Sequence, residues 1–347
     1  MSTSPVRFGL IGYGSGGRLF HAPLIASAAG CELAGVVTTS AERRALLARD
    51  HPGVPAYDSL SALAAAGASA VAVSTPAATR TALVREAIEL GLAVVADKPF
   101  APDAETAAET VRRAERAGLV LSVYQNRRWD SDLLTLRRLM TAGRLGTIHR
   151  FESRFERFRP AATPRGAGGG MLLDLGSHLT DQALILFGPV DRVYAELRVP
   201  AGSDLDDDFF VALHHRDGVL SHLWGSSIQG APGPRLRVAG AAGAYTVEQL
   251  DGQEDALRAG RTPATEGDRW GQEPAARWGH LHRGDVSEPV PSERGRWDSY
   301  YPAFAAAVQG DGPVPVDPWD AVAALRVMDA ARASATRGQT VVIGGPT

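Results

Sequence analysis

Val6-Arg7-Phe8-Gly9-Leu10-Ile11, followed at once by Gly12-Tyr13-Gly14-Ser15-Gly16-Gly17, is the stretch on which the reading of the fold turns. The first six residues have the apolar character of a buried strand. The next six spell G-x-G-x-x-G where a helix starting near Arg18 should open. In that setting the first glycine allows a tight turn and the second lets a pyrophosphate approach the backbone. The third lets helix and strand pack closely. The free N–H groups and partial positive charge at the helix start then favour a phosphate. Without its flanks the motif is only a turn. With them it predicts a dinucleotide site built from Gly12, Tyr13, Gly14, Ser15, Gly16 and Gly17.

Working outward, short apolar runs at 33–38, 70–74, 92–96 and 120–124 lack polar alternation, as strands covered on both faces should. Helix-like segments at 18–29, 41–49, 59–66, 79–90 and 103–117 lie between them, with Asp103 as an N-cap. Strand–helix alternation of this kind predicts a doubly wound parallel sheet over residues 1–125. The pattern then changes. After a helix at 131–142, strand candidates at 147–158, 190–199, 209–215, 219–227, 236–239 and 244–249 are joined by short turns, which predicts a mostly antiparallel sheet. One helix, 171–187, interrupts them. Residues 250–296 read as an irregular excursion, and a helix at 318–335 precedes a short strand at 340–343. The expectation is an α/β fold with two domains, 1–125 and 126–347, the last helix packing back on the first.

Composition narrows the function. A chain of 347 residues with 44% hydrophobic side chains can build two cores. A net charge of −3 without a basic block argues against nucleic acid or an anionic membrane surface as partner. No apolar run has the length of a bilayer span. Cys31 is the only cysteine, which excludes a disulfide framework and a thiolate metal cluster. The segment 1–7 lacks the basic start and long apolar stretch of a secretory signal, so the cytoplasm is the expected compartment.

Of 36 basic side chains, Lys98 is the only lysine and the other 35 are arginine. Against that background the position that kept its lysine is informative. Asp97-Lys98-Pro99-Phe100 ends the fourth expected strand of the parallel sheet, at the carboxyl edge where such sheets bind ligands. An ammonium there can stabilise an alkoxide that develops as hydride leaves, and lysine can be tuned by partial burial as arginine cannot. The bland alternative is a surface lysine with no task.

The end of the second strand should discriminate NAD from NADP. An acid there would grip the ribose 2′-hydroxyl, but Thr38, Thr39 and Ser40 stand here with Arg43 and Arg44 behind them. Hydroxyls plus a guanidinium suit a 2′-phosphate, which favours NADP and leaves NAD open. A helix cap followed by solvated arginines is the alternative. Further on, Gly168-Gly169-Gly170 leads into Asp174 and His178. Four residues apart, these two share a helix face that is otherwise largely apolar. Burying a carboxylate and an imidazole is costly unless they are partnered, so they are either a structural pair or a catalytic pair lining a cleft. No third ligand lies nearby, and no metal is expected. His21, Asn126, Arg127 and Arg157 are weaker candidates, the last three for substrate. Arg154, Arg159, His214 and His215 read as ordinary strand residues.

Together these pieces resemble the glucose–fructose oxidoreductase/inositol dehydrogenase/rhizopine-catabolism (Gfo/Idh/MocA) family. The likeness runs through Ile11-Gly12-Tyr13-Gly14, Phe20-His21-Ala22-Pro23-Leu24, Asp97-Lys98-Pro99-Phe100 and Asn126-Arg127-Arg128-Trp129-Asp130. It continues in Phe151-Glu152-Ser153, Arg157-Phe158-Arg159-Pro160, the run Asp174 to Gln182 and Tyr301-Pro302-Ala303. The wording is most similar to the NADP-dependent scyllo-inositol dehydrogenase-like subgroup. The resemblance implies a Rossmann domain, a C-terminal domain with an open sheet, and a homodimer or homotetramer. It also implies cofactor contacts from Ser74, Thr75, Pro76, Asp97 and Lys98. The catalytic group would be Lys98, Asp174 and His178, with His178 taking the proton of a polyol or sugar hydroxyl. Asp97 stands where the family usually has Glu, and Ala77 and Arg80 where it often has Asn and His. Two rival readings stay open: the same fold used for another reaction, such as glycoside cleavage through a transient ketone, and a dinucleotide-binding sensor without turnover.

Overall fold

A computed structural model describes residues 4–159 and 169–344. Gly168 and Pro160, both used above, lie outside the described residues. Six parallel strands form the first sheet: β1 (Val6–Ile11), β2 (Cys31–Val37), β3 (Ala56–Tyr57), β4 (Ala70–Val73), β5 (Ala93–Ala96) and β6 (Leu121–Val123). Their order is β3-β2-β1-β4-β5-β6, the doubly wound arrangement, with its switch point between β1 and β4. Every residue of β4 and β5 is buried, which is why these strands read as unbroken apolar runs. The two-residue edge strand β3 is too short to leave such a signal. Ser40, Ser59 and Asp103 each accept the N–H three residues on, at 3.3, 3.1 and 2.7 Å, and so define where three of the helices begin.

The second sheet has nine strands: β7 (Ile148–Glu156), β8 (Val190–Arg198), β9 (Asp208–His215), β10 (Leu220–Ser226), β11 (Leu236–Gly240), β12 (Gly243–Val247), β13 (Gly279–Arg283), β14 (Val286–Val290) and β15 (Val341–Val342). Their order is β14-β13-β12-β11-β7-β10-β9-β8-β15, with β7 and β10 the one parallel pair. The expectation of a mostly antiparallel sheet holds.

Three expectations need correction. Residues 250–296 are not an irregular excursion, since they contain the helix Gln253–Arg258 and the hairpin β13–β14. Those strands carry His280, His282, Arg283, Glu288 and Pro289, a pattern tolerable at the sheet's edge but unreadable as a buried strand. Next, the helix Tyr300–Gln309 was missed. It lays Tyr301 and Phe304 against Phe8 of β1, ring centroids 5.3 and 5.7 Å apart, so the chain returns to the first sheet. Finally, the run expected at 171–187 is two helices, Gly170–Asp174 and Gly176–Phe187. The helix Pro318–Arg337 bonds to both parts of the chain: Asp329 accepts the N–H of Ala104 at 2.9 Å, while Ser334 accepts that of Ala195 in β8 at 3.0 Å. Among the described residues no helix is long and apolar enough to cross a membrane.

Candidate active site

The glycine loop meets the geometric demands of its motif. Gly12 has φ +95°, and a Cβ there would come 2.6 Å from the Ser74 carbonyl oxygen. A Cβ on Gly17 would lie 2.0 Å from the oxygen of Gly12, so the helix start and the strand end touch. A Cβ on Gly14 would meet nothing within 4 Å. That side of the loop is open, as a pyrophosphate would need. Among the described residues the main-chain N–H groups of Tyr13, Gly14, Ser15 and Gly16 donate no hydrogen bond. These observations fit a dinucleotide. Only the backbone of Tyr13 is open to such a group, because its ring is buried and its hydroxyl donates to Asp50 at 3.3 Å.

At the end of β2 the bland and functional readings divide the residues between them. Ser40 caps the following helix and Arg44 is paired with Asp58 at 2.6 Å. Thr38 is buried, with its hydroxyl accepting the Ser40 N–H. Thr39 and Arg43 are exposed, and among the described residues Arg43 makes no ion pair.

The end of β5 is densely tied. Asp97 accepts from the Ser74 hydroxyl and from the Lys98 N–H, both at 2.8 Å. His21 is not a cleft residue. It is fully buried, hydrogen-bonded through Nδ1 to the Tyr301 hydroxyl at 2.5 Å, with Nε2 3.3 Å from Asp97. Burial alone would raise the Asp97 carboxyl, but His21, Arg80 and Lys98 outweigh it and hold Asp97 well below the usual carboxylate range. Buried Arg80 donates to the carbonyls of Pro99 and Thr75. This arginine therefore ties the Thr75-Pro76 loop to the segment that carries Lys98.

Lys98 Nζ donates to both the carboxylate and, at 3.2 Å, the main-chain oxygen of Asp174. The second bond exists because the helix breaks at Leu175. In an unbroken helix the Asp174 carbonyl would accept the His178 N–H, but that N–H goes to Leu175 at 3.1 Å instead. An ammonium has three N–H donors. Two are used here, leaving one for a substrate oxygen. Gly170, at φ +83°, starts the first of the two helices, where a Cβ would collide with Asp206 at 2.0 Å. Asp206 in turn accepts the Leu172 N–H at 2.6 Å.

His178 is buried and its Nδ1 lies 3.2 Å from Oε1 of Gln125. An amide oxygen only accepts, so Nδ1 carries the proton and Nε2 presents its lone pair. Burial, reinforced by Lys98, Arg127 and Arg235 against a weaker pull from Asp97, holds His178 well below its ordinary value. The ring is neutral at neutral pH and able to accept a proton. Gln125 was missed by the sequence reading, which had no signal for it beyond its place at the end of β6.

The other expected residues separate. Asn126 is buried and makes no side-chain hydrogen bond among the described residues, so it is free to meet a substrate hydroxyl. Arg127 is not, and its assignment to substrate is corrected. Its guanidinium is committed to Asp130 at 3.2 Å and Glu254 at 2.6 Å, and it stacks on Phe155. Burial would raise Glu254, but Arg127 and Arg157 pull it down to about 2, so this brace stays charged. Arg157 shares Glu254 at 3.3 Å and remains partly exposed. Asp181 pairs with Arg128 at 2.6 Å, and Gln182 bonds the Arg127 carbonyl and Arg235. His215 bonds Gly188 and Ser221, as a strand residue can.

A parallel sheet with an open glycine loop at its switch point, and a lysine and a neutral histidine gathered at its carboxyl edge, define an NAD(P)-binding oxidoreductase. Residues 6–125 match the model of an oxidoreductase family's NAD-binding Rossmann fold, and residues 137–343 that of its C-terminal alpha/beta domain. The scyllo-inositol 2-dehydrogenase (NADP(+)) IolW of Bacillus subtilis is 32% identical, over 97% of this chain and 96% of that protein. The oxidoreductase YdgJ of Escherichia coli is 36% identical over 97% of this chain and 99% of its own. The solved structure of the oxidoreductase yvaA from Bacillus subtilis superposes with a TM-score of 0.92 at 32% identity, covering 99% of this chain and all of that one. The chain belongs to the Gfo/Idh/MocA oxidoreductase family.

Proposed function

We propose that the chain is an NADP-preferring dehydrogenase that interconverts a secondary alcohol and a ketone on an inositol, sugar or related polyol. The observation that carries this reading is the pairing of a spare Lys98 donor with a neutral, buried His178 beside the glycine loop. In the oxidation direction, His178 Nε2 accepts the proton of the reacting hydroxyl. Lys98 donates its remaining N–H to the same oxygen and stabilises the negative charge that gathers there. Asp174 holds the ammonium in place through its carboxylate and its carbonyl. Bound NADP⁺ supplies the hydride acceptor. In the reduction direction His178 returns the proton. The relative IolW carries scyllo-inositol and NADP(+) in its name, and D-apiose dehydrogenase of Paraburkholderia graminis is 32% identical over 47% of this chain, which supports a polyhydroxylated substrate. Exposed Arg43 beside Thr39, with no carboxylate on β2's end, supports NADP.

The test mixes purified protein with NAD⁺ or NADP⁺ and a panel of inositols, aldoses and linear polyols while following reduced nicotinamide. The expected result is turnover on at least one of them, faster with NADP⁺. Failure with every polyol, together with failure to reduce ketoses with NADPH, would sink the reading.

A further inference from the structure

Gln125 is the one side chain of the first sheet's edge that bonds the imidazole of His178, and it does so from the opposite half of the molecule. We infer that Gln125 is a positioning residue: by accepting the proton-bearing Nδ1 of His178 it fixes the tautomer that leaves Nε2 bare toward the substrate. This inference rests on the proposed role of His178 as proton acceptor.

Four observations carry it. Gln125 lies two residues beyond the end of β6 and is itself pinned, its N–H bonding the Val123 carbonyl at 2.8 Å and its carbonyl accepting from Arg128 at 3.1 Å. Its side chain is 3% exposed, so water does not compete for Nδ1. Its neighbours in sequence hold the rest of the same helix. The Arg127 carbonyl accepts from Gln182 at 2.9 Å, and Arg128 grips Asp181 with two bonds at 2.8 and 2.6 Å. The helix is therefore anchored independently, and the Gln125 bond governs the ring rather than the backbone. Finally, no second hydrogen bond orients the ring among the described residues. A neutral imidazole can carry its proton on either nitrogen, and only one choice leaves a lone pair at Nε2. An uncharged amide is suited to this task because it orients the ring without making it a stronger base than its surroundings already do. Those surroundings are Lys98 and Asp97 from the end of β5, Arg127 after β6 and Arg235 before β11.

The test compares Gln125→Met, which keeps length and removes the acceptor, with Gln125→Glu, which keeps the acceptor and adds charge. In the full-length protein labelled with ¹⁵N-histidine, two-bond ¹H–¹⁵N correlations report the tautomer, and His178→Asn identifies the signal. The wild type should show the proton on Nδ1, and Gln125→Met a mixture of the two forms. Gln125→Met should lower kcat/KM by about 10²-fold, the usual worth of a positioned base, with NADP⁺ affinity unchanged. Gln125→Glu should keep turnover while the acid limb of the pH–rate profile rises by about one to three pH units, because the carboxylate favours the imidazolium. A wild-type proton on Nε2, or a Gln125→Met enzyme with an unaltered tautomer, would overturn the inference. If the wild type oxidises no polyol, the proposed function fails, and the tautomer measurement still decides the role of Gln125.

Discussion

Replacing Lys98 with Met removes one charge and keeps the length of the side chain, which separates the lysine's contribution to stability from its contribution to turnover. The stability cost follows from the ion pair with Asp174. The two side chains are 21% and 42% exposed, so water screens the attraction. A pair this open contributes about 1 kcal/mol at most. Because Asp174 is partly solvated, it is not left as a buried orphan when the ammonium goes. For a chain of this size that corresponds to a fall in Tm of about 2 °C or less. The catalytic cost is set by the donor facing the substrate oxygen. Removing one preorganised donor to a developing oxyanion costs about 10²–10³ in kcat, or roughly 3–4 kcal/mol of barrier. The expected outcome is a protein that melts like the wild type and binds NADP⁺, yet turns over hundreds of times more slowly. Lys98→Arg should behave the same way. A planar guanidinium cannot give two donors to Asp174 and a third to substrate from the same position. The assay is the initial rate of NADPH formation at saturating polyol, paired with a melting curve and a fluorescence titration of NADP⁺. Near-normal turnover in Lys98→Met, or a melting point lowered in proportion to the lost rate, would refute the reasoning.

Three further outcomes follow from the site. Gly14→Ala should fold normally, since its Cβ meets nothing within 4 Å, but lose dinucleotide affinity; Gly17→Ala should lose both affinity and about 1–3 kcal/mol of stability, because its Cβ would strike the Gly12 carbonyl. Normal NADP⁺ binding by Gly14→Ala would contradict the assignment of that open side to the pyrophosphate. Arg43→Ala should weaken NADP⁺ by about tenfold or more while leaving NAD⁺ affinity in place, as loss of one charge-assisted bond to a 2′-phosphate predicts; equal weakening of both would remove Arg43 from the choice. His178, held well below its ordinary value, should keep kcat/KM flat on the acid side to below pH 6.5. Its contribution to stability is present above the ordinary histidine value of about 6.5 and is lost as pH falls toward the depressed folded value, since only the unfolded chain takes up the proton there. His178→Gln should therefore flatten the decline of Tm below pH 6.5.

The first sheet was legible because its signals are local. Buried parallel strands are short apolar runs, and the glycine loop is contiguous in the chain. Lys98 stood out by composition alone. What the sequence concealed were facts about partners. His21 meets Tyr301 across 280 positions, and Arg127 meets Glu254 across 127, so neither bond leaves a trace in periodicity. The hairpin β13–β14 escaped because edge strands tolerate His, Glu and Pro. The break at Leu175 escaped because nothing in Asp174-Leu175-Gly176 forbids a continuous helix.

That break also separates the polar groups of this helical run, whose burial is costly without partners. A helix buried on most sides requires partners for its charged and amide groups, and they have them: Asp181 has Arg128, Gln182 has the Arg127 carbonyl and Arg235, and His178 has Gln125. The buried ion pair of this helix is Asp181 with Arg128, and of the two readings of Asp174 and His178 left open by the sequence, the structural pair finds no bond between them among the described residues. Asp174 sits on the preceding short helix, partly exposed, and turns to Lys98 instead. Beside the unbonded N–H groups of the glycine loop and the unpartnered Thr75 hydroxyl, these bonds leave one N–H of Lys98, the Nε2 lone pair of His178 and the amide of Asn126 for a substrate. A donor, an acceptor and a group that is both suffice to hold and deprotonate one hydroxyl while grasping a neighbouring one. A substrate with adjacent hydroxyls uses all three, whereas a simple alcohol leaves the buried Asn126 amide unpaired. Removing that amide with Asn126→Leu should raise KM for polyols about tenfold or more and leave KM for a monohydric secondary alcohol unchanged. Equal effects on both substrate types would show that Asn126 does not grasp a second hydroxyl.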